Sequence, residues 1–128
     1  MQKIGHKTFT VTASGADGSA TGSNTTPFGA ISGELISVHL AYSAGMPATC
    51  DVVLTRVADG AIPAETLLTV SNNNTDGWYY PRAIAVTSAN TNIAGAYSRF
   101  GLANHVQAAI AQGNDIETVT VTILYASD

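Results

Sequence analysis

Thr118-Val119-Thr120-Val121-Thr122-Ile123-Leu124-Tyr125 decides how this chain is read. Val119, Val121, Ile123 and Tyr125 alternate with Thr118, Thr120, Thr122 and Leu124. A period of two sends successive side chains to opposite faces of a strand, one face inward and one wet. Threonine suits the wet face, because its branched β-carbon fits a pleated surface. The same period recurs along the chain. Phe9 and Val11 alternate with Thr8, Thr10 and Thr12, and Ile36, Val38, Leu40 and Tyr42 with Ser37, His39 and Ala41. Leu68 and Val70 flank Thr69, and Val106, Ala108 and Ile110 alternate with Gln107 and Ala109. These patterns predict strands near 7–13, 32–42, 50–57, 65–71, 82–87, 104–111 and 117–126. Nothing carries a 3.6-residue apolar stripe. The alanines of 101–112 make it the best helical candidate, yet Val106 and Ile110 fit a strand as well.

The turns complete the fold reading. Asp59-Gly60, with Pro63 ahead of the next run, joins two strands. Gln112-Gly113-Asn114-Asp115 is expected to close a last hairpin between 104–111 and 117–126. Residues 14–30, rich in Gly, Ser, Thr and Asn, read as a long flexible loop, and 1–6 as an N-terminal arm. Seven to eight short strands separated by turn signals predict an all-β fold. The expected form is a single-domain antiparallel β-sandwich over 1–128, Greek-key or jelly-roll-like. A closed barrel of similar size is the alternative.

The length of 128 residues suits one domain with a real core. Charged residues are only 11% of the chain, against a usual ~25%. The surface must therefore be built from Thr, Ser, Asn, Ala and Gly, which protect poorly against association. That fits a chain living inside an assembly, and equally a small neutral β domain. Net charge is −4, and the five Lys and Arg residues form no cluster. Nucleic acid is thereby excluded as an expected partner, and the acidic balance argues against an anionic membrane surface. No apolar run approaches the ~18 residues that span a bilayer. Met1 to Lys7 lacks the apolar core of a secretory signal. Asn24-Thr25-Thr26 and Asn73-Asn74-Thr75 then read as chance glycosylation matches.

Catalytic patterns are scarce. Cys50 is the single cysteine, heads the apolar run Asp51-Val52-Val53-Leu54, and reads as a half-buried structural thiol. His6, His39 and His105 have no partner at metal-ligand spacing, and His39 falls on the outer face of its strand. The glycine-rich Gly15 to Gly22 lacks the Lys and following helix of a phosphate loop. Asp115 and Glu117 would share a strand face, a weak cation site at most. There is no Gly-x-Ser-x-Gly elbow. No catalytic residue, metal site or cofactor is assigned, and an enzyme is not expected.

The stretch Asp76-Gly77-Trp78-Tyr79-Tyr80-Pro81-Arg82 stands out instead. Each such ring buries ~150–250 Å² when covered. Alternation predicts Trp78 and Tyr80 inward and Tyr79 outward. Trp, Tyr and Arg are the types that dominate interface energies. A second group, Tyr97-Ser98-Arg99-Phe100, lies in a connection, 88–103, that is long for a compact domain. The expected interface residues are Trp78, Tyr79, Tyr80, Arg82, Tyr97, Arg99 and Phe100.

The Thr75-Asp76-Gly77-Trp78-Tyr79-Tyr80-Pro81-Arg82 motif, with Leu67 to Val70 before it, resembles a family of small virion structural proteins of tailed bacteriophages and prophages. Gly33 to Tyr42, Pro47 to Val52 and Val119 to Tyr125 are similar too, so the likeness covers roughly 31–125. The aromatic motif is the specific part, and the rest is generic β sequence. The resemblance implies a capsid decoration, or cement, protein. Such a protein would be a homotrimer bound to the major capsid protein on the capsid surface, assembled in the host bacterial cytoplasm, with no cofactor. A tail or head-fibre β module is the alternative within virions. A carbohydrate-binding β-sandwich, using Trp78 and Tyr79 as a stacking platform, is the alternative outside them.

Overall fold

A computed structural model describes residues 2–127. Eleven strands lie among the described residues: β1 Lys3–Thr12, β2 Ala20–Thr25, β3 Ile31–Tyr42, β4 Asp51–Arg56, β5 Glu65–Val70, β6 Gly77–Tyr79, β7 Ala83–Val86, β8 Asn92–Ser98, β9 Gly101–Asn104, β10 Val106–Gly113 and β11 Thr118–Ser127. No helix occurs among them. Eight strands build two facing antiparallel sheets, ordered β1-β11-β3-β6 and β2-β10-β4-β5. Their pairing is nested: β1 with β11, β2 with β10, β3 with β6, and β4 with β5. This is a long antiparallel hairpin rolled up on itself, the jelly-roll arrangement of a β-sandwich. β9 adds to the free edge of β3, and β7 and β8 pair only with each other.

Alternation fills the space between the sheets. Phe9, Val11, Val38, Leu40, Val119, Val121 and Ile123 face Val52, Leu54, Leu67, Val106, Ala108 and Ile110 in one buried cluster. Each buried Val, Leu, Ile or Phe among them contributes about 1.5–3 kcal/mol relative to staying in water. The outer threonines form cross-strand ladders, with Thr8 to Thr122 at 3.2 Å and Thr10 to Thr120 at 3.3 Å. All seven expected strands are present within a few residues, and the helical alternative for 101–112 is replaced by β9 and β10.

Four expectations are corrected. Gln112 to Asp115 does not close a hairpin, because β10 and β11 lie in opposite sheets. Val106, Ala108 and Ile110 need apolar partners across the sandwich, and the turn supplies the change of sheet through positive φ at Gln112 and Ile116. The 14–30 loop contains β2, whose polar backbone pairs with Gln107 to Ile110 of β10. In the 1–6 arm, Met1 lies outside the described residues. Lys3 to His6 belong to β1, paired with Leu124 to Ser127. Finally, β3 carries a bulge. Leu124 pairs with Ser37 and Tyr125 with Leu35, so Ile36 is the extra residue. The bulge resets the phase, burying Leu35 and Val38 and leaving Ile36 only partly covered.

A candidate assembly surface

The aromatic turn is fixed by side chains that the sequence displays as a polar loop. Asp76 accepts the Tyr42 backbone N–H at 2.7 Å, tying the turn to the end of β3. The Asn73 amide donates to the Tyr79 hydroxyl at 3.1 Å and the Thr75 carbonyl at 3.1 Å, and lies 3.4 Å from the Tyr42 hydroxyl. Asn74 donates to the Met46 carbonyl at 2.8 Å, and Asp51 accepts the Asn72 N–H. β6 then leaves the turn and pairs with β3, placing Leu40 opposite Gly77, His39 opposite Trp78, and Val38 opposite Tyr79.

That register inverts the expected phase of the rings. Val38 points into the core, so Tyr79 beside it packs against the core. Trp78 follows His39 outward and is 48% exposed, its ring centroid 4.8 Å from that of His39. Tyr80 is 63% exposed. A three-residue strand cannot set its own phase; its partner sets it. Pro81 is buried, and Arg82 donates to the bulge carbonyl of Ile36 at 3.0 Å and to the Pro81 carbonyl. Arg82 thus satisfies a carbonyl that the bulge frees from the ladder.

Beyond Arg82 the chain makes an excursion from the sandwich. β7 and β8 form a two-stranded ribbon in which Ile84 pairs with Tyr97 and Val86 with Asn92. The chain returns through Phe100, whose carbonyl accepts the Leu35 N–H, and β9 then pairs with Ile31 to Glu34. Both ends of the excursion therefore grip one edge of β3. The ribbon is patterned inside out. Ile84 and Val86 are exposed while Ala83 and Ala85, which alternate with them, are partly covered. Tyr97, opposite Ile84, is 63% exposed, and Ile93 in the bulged part of β8 is also exposed. An isolated two-stranded ribbon is marginal in water, and this one leaves Tyr97 and its aliphatic neighbours facing solvent.

Of the seven residues singled out from the sequence, Trp78, Tyr80, Tyr97 and Arg99 are exposed, whereas Tyr79, Arg82 and Phe100 turn toward their own subunit. The ribbon adds Ile84, Val86 and Ile93, which sequence reading passed over although Ile84 and Val86 alternate within an expected strand.

The other chemical candidates are occupied structurally. Cys50 is fully buried, and burial pushes its thiol up from 9.0 to about 11, with the neighbouring Asp51 charge adding to the rise. Burial likewise pushes the Tyr42 phenol up from 10.0 to about 12, partly opposed by the Asn73 hydrogen bond. Both native groups hold their protons more tightly than the unfolded chain does. Their stabilising effect is whole below about pH 9 and is lost as pH rises toward 12. Urea midpoints are expected to be level near pH 8 and to fall between pH 9 and 12. The fall should be shallower in Cys50→Ala, and an unchanged profile would refute the assignment. Asp115 and Glu117 accept the Gly15 and Gly45 N–H groups and do not converge on a cation site. Among the described residues no group of three metal-ligating side chains and no pocket is found.

No known protein-family model matches the chain, and no curated protein matches its sequence. Among solved structures it is similar to a mutant of a family 29 carbohydrate-binding module, with a TM-score of 0.45 and 10% identity, covering 98% of this chain and 85% of that one. It is also similar to a chain of infectious bursal disease virus, with a TM-score of 0.27 and 14% identity, covering 98% of this chain and 39% of that one. Likenesses this loose carry no argument about function. The fold rests on the strand order.

Proposed function

We propose that this chain is a non-enzymatic virion structural protein of the capsid decoration, or cement, type. In this reading it forms a homotrimer, binds the major capsid protein on the outside of a phage head, and is assembled in the host cytoplasm. The observation that carries it is the inside-out β7–β8 ribbon together with the exposed Trp78 and Tyr80 that precede it in the chain. Such a surface has a use when another protein covers it. A few aromatic anchors on a low-charge surface suit a role in which many copies engage one shell, because weak contacts add up across linked sites. The resemblance of the aromatic motif to phage virion proteins supplies the class.

Sedimentation of the purified protein is expected to give a small oligomer, and mixing with empty heads to give stoichiometric binding. A strict monomer without affinity for heads would overturn the reading. Copies per virion separate decoration, with hundreds, from a tail or head-fibre module, with tens or fewer. A second reading draws on the half-exposed Trp78 ring, which resembles a sugar-stacking platform. Glycan-array binding abolished by Trp78→Ala would favour it.

A further inference from the structure

The charges of this chain are sorted by position. Four loops meet at one end of the sandwich: 13–19, 43–50, 71–76 and 114–117. With the first residue of β4, that end holds Asp17, Asp51, Asp76, Asp115 and Glu117 and no Lys or Arg. Each carboxylate accepts a main-chain N–H there, from Asp115, Asn72, Tyr42, Gly15 and Gly45 respectively, so the charges are fixed in place. Ile116, between Asp115 and Glu117 in the chain, is 76% exposed and at φ 63. A β-branched residue in that region is a backbone outlier, and such strain persists where the surroundings impose it.

The excursion has the opposite character. Residues 77–104 contain Arg82 and Arg99 and no Asp or Glu. Arg82 is engaged with the Ile36 carbonyl, while Arg99 is exposed beside the ribbon. Among the described residues the ion pair is Arg56 with Glu65, and Arg99 pairs with no described carboxylate. Two ribbons packed face to face would bring like charges together with nothing to neutralise them, which disfavours a symmetric ribbon–ribbon contact. The acidic end of another copy offers both what the ribbon lacks and an exposed aliphatic anchor.

We infer that the β7–β8 ribbon of one copy seats on the acidic loop end of a second copy, with Tyr97 and Ile84 against Ile116 and Arg99 among Asp17 and Asp115. The inference rests on the self-assembly reading above and specifies its joint. Such a contact is head-to-tail, and it closes into a ring when the rotation between copies allows.

The test uses two variants, Arg99→Glu on the ribbon and Ile116→Asn on the end, in analytical ultracentrifugation. Each is expected to weaken association at least ~10-fold. Ile116→Asn should keep or raise the thermal midpoint, since Asn tolerates positive φ, which separates assembly from folding. Mixing the two variants restores one sound joint, the ribbon of Ile116→Asn on the end of Arg99→Glu, so the mixture should form a 1:1 dimer and nothing larger. Association of the unaltered chain should also weaken as salt rises from 50 to 500 mM. Variants that assemble like the unaltered chain, a mixture that stays monomeric, or indifference to salt would each overturn the joint. An unaltered chain that is monomeric throughout would instead overturn the self-assembly reading itself.

Discussion

Gly33→Ala is expected to destabilise the fold by about 3–5 kcal/mol, enough to leave much of the chain unfolded at 37 °C. Gly33 lies in β3 at φ 132, a conformation that an L side chain adopts only under strain. A β-carbon there would run into the carbonyl oxygen of Ala126 on the neighbouring strand β11. That oxygen belongs to the backbone of the central strand, which cannot retreat without loosening its pairing on both sides. Gly77→Ala is the matched control, because a β-carbon at Gly77 meets nothing and its φ is ordinary. It should change stability by no more than ~0.5 kcal/mol. Urea denaturation of both variants decides the matter, and a loss below 1 kcal/mol for Gly33→Ala would show that β3 shifts to accept the methyl group.

Tyr79→Ala and Trp78→Ala should part company in the same assay. Tyr79 packs against the core and receives a hydrogen bond from Asn73, so truncation removes buried area and leaves the Asn73 amide short of a partner. A loss of about 2–3 kcal/mol follows, somewhat under the value for a fully buried ring. Trp78 stands on the outer face against His39, and its removal should cost ~1 kcal/mol or less. In assembly the order should reverse, with Trp78→Ala or Tyr97→Ala weakening association while Tyr79→Ala acts mainly through stability. Equal stability losses for Trp78→Ala and Tyr79→Ala would contradict the register of β6 on β3.

The contrast between these two rings also shows where sequence reading stops. Long strands with strict alternation, such as Phe9 to Thr12 and Val119 to Tyr125, declare both their existence and their inward face. β6 is three residues long, and its phase comes from Val38 across the ladder, which no local pattern encodes. β2 has no legible signal, because Thr21, Gly22, Ser23, Asn24 and Thr25 offer no apolar side. It is held by backbone pairing and by the Asn24 amide on the Thr10 carbonyl. The bulge at Ile36 has no sequence mark, because Ile36, Val38 and Leu40 look like one unbroken alternation, while Leu35 is the residue that is buried. On the candidate surface, Trp78, Tyr80 and Tyr97 are conspicuous by residue type. Ile84 and Val86 are not, since two alternating aliphatic residues ordinarily mean core. Only the isolation of their ribbon from the sandwich turns them outward.

The nesting of the strands has a kinetic side. β11 lies between β1 and β3, yet it is the last of the eleven strands to leave the ribosome. Contacts such as Thr8 with Thr122 join residues 114 positions apart, and wide sequence separation of this kind slows folding, because the chain must be closed over a long loop before the contact rewards it. Until β11 emerges, β1 and β3 have no neighbour between them and expose their apolar faces. The β1–β11–β3 sheet is therefore completed only when β11 arrives, after the other ten strands have been made.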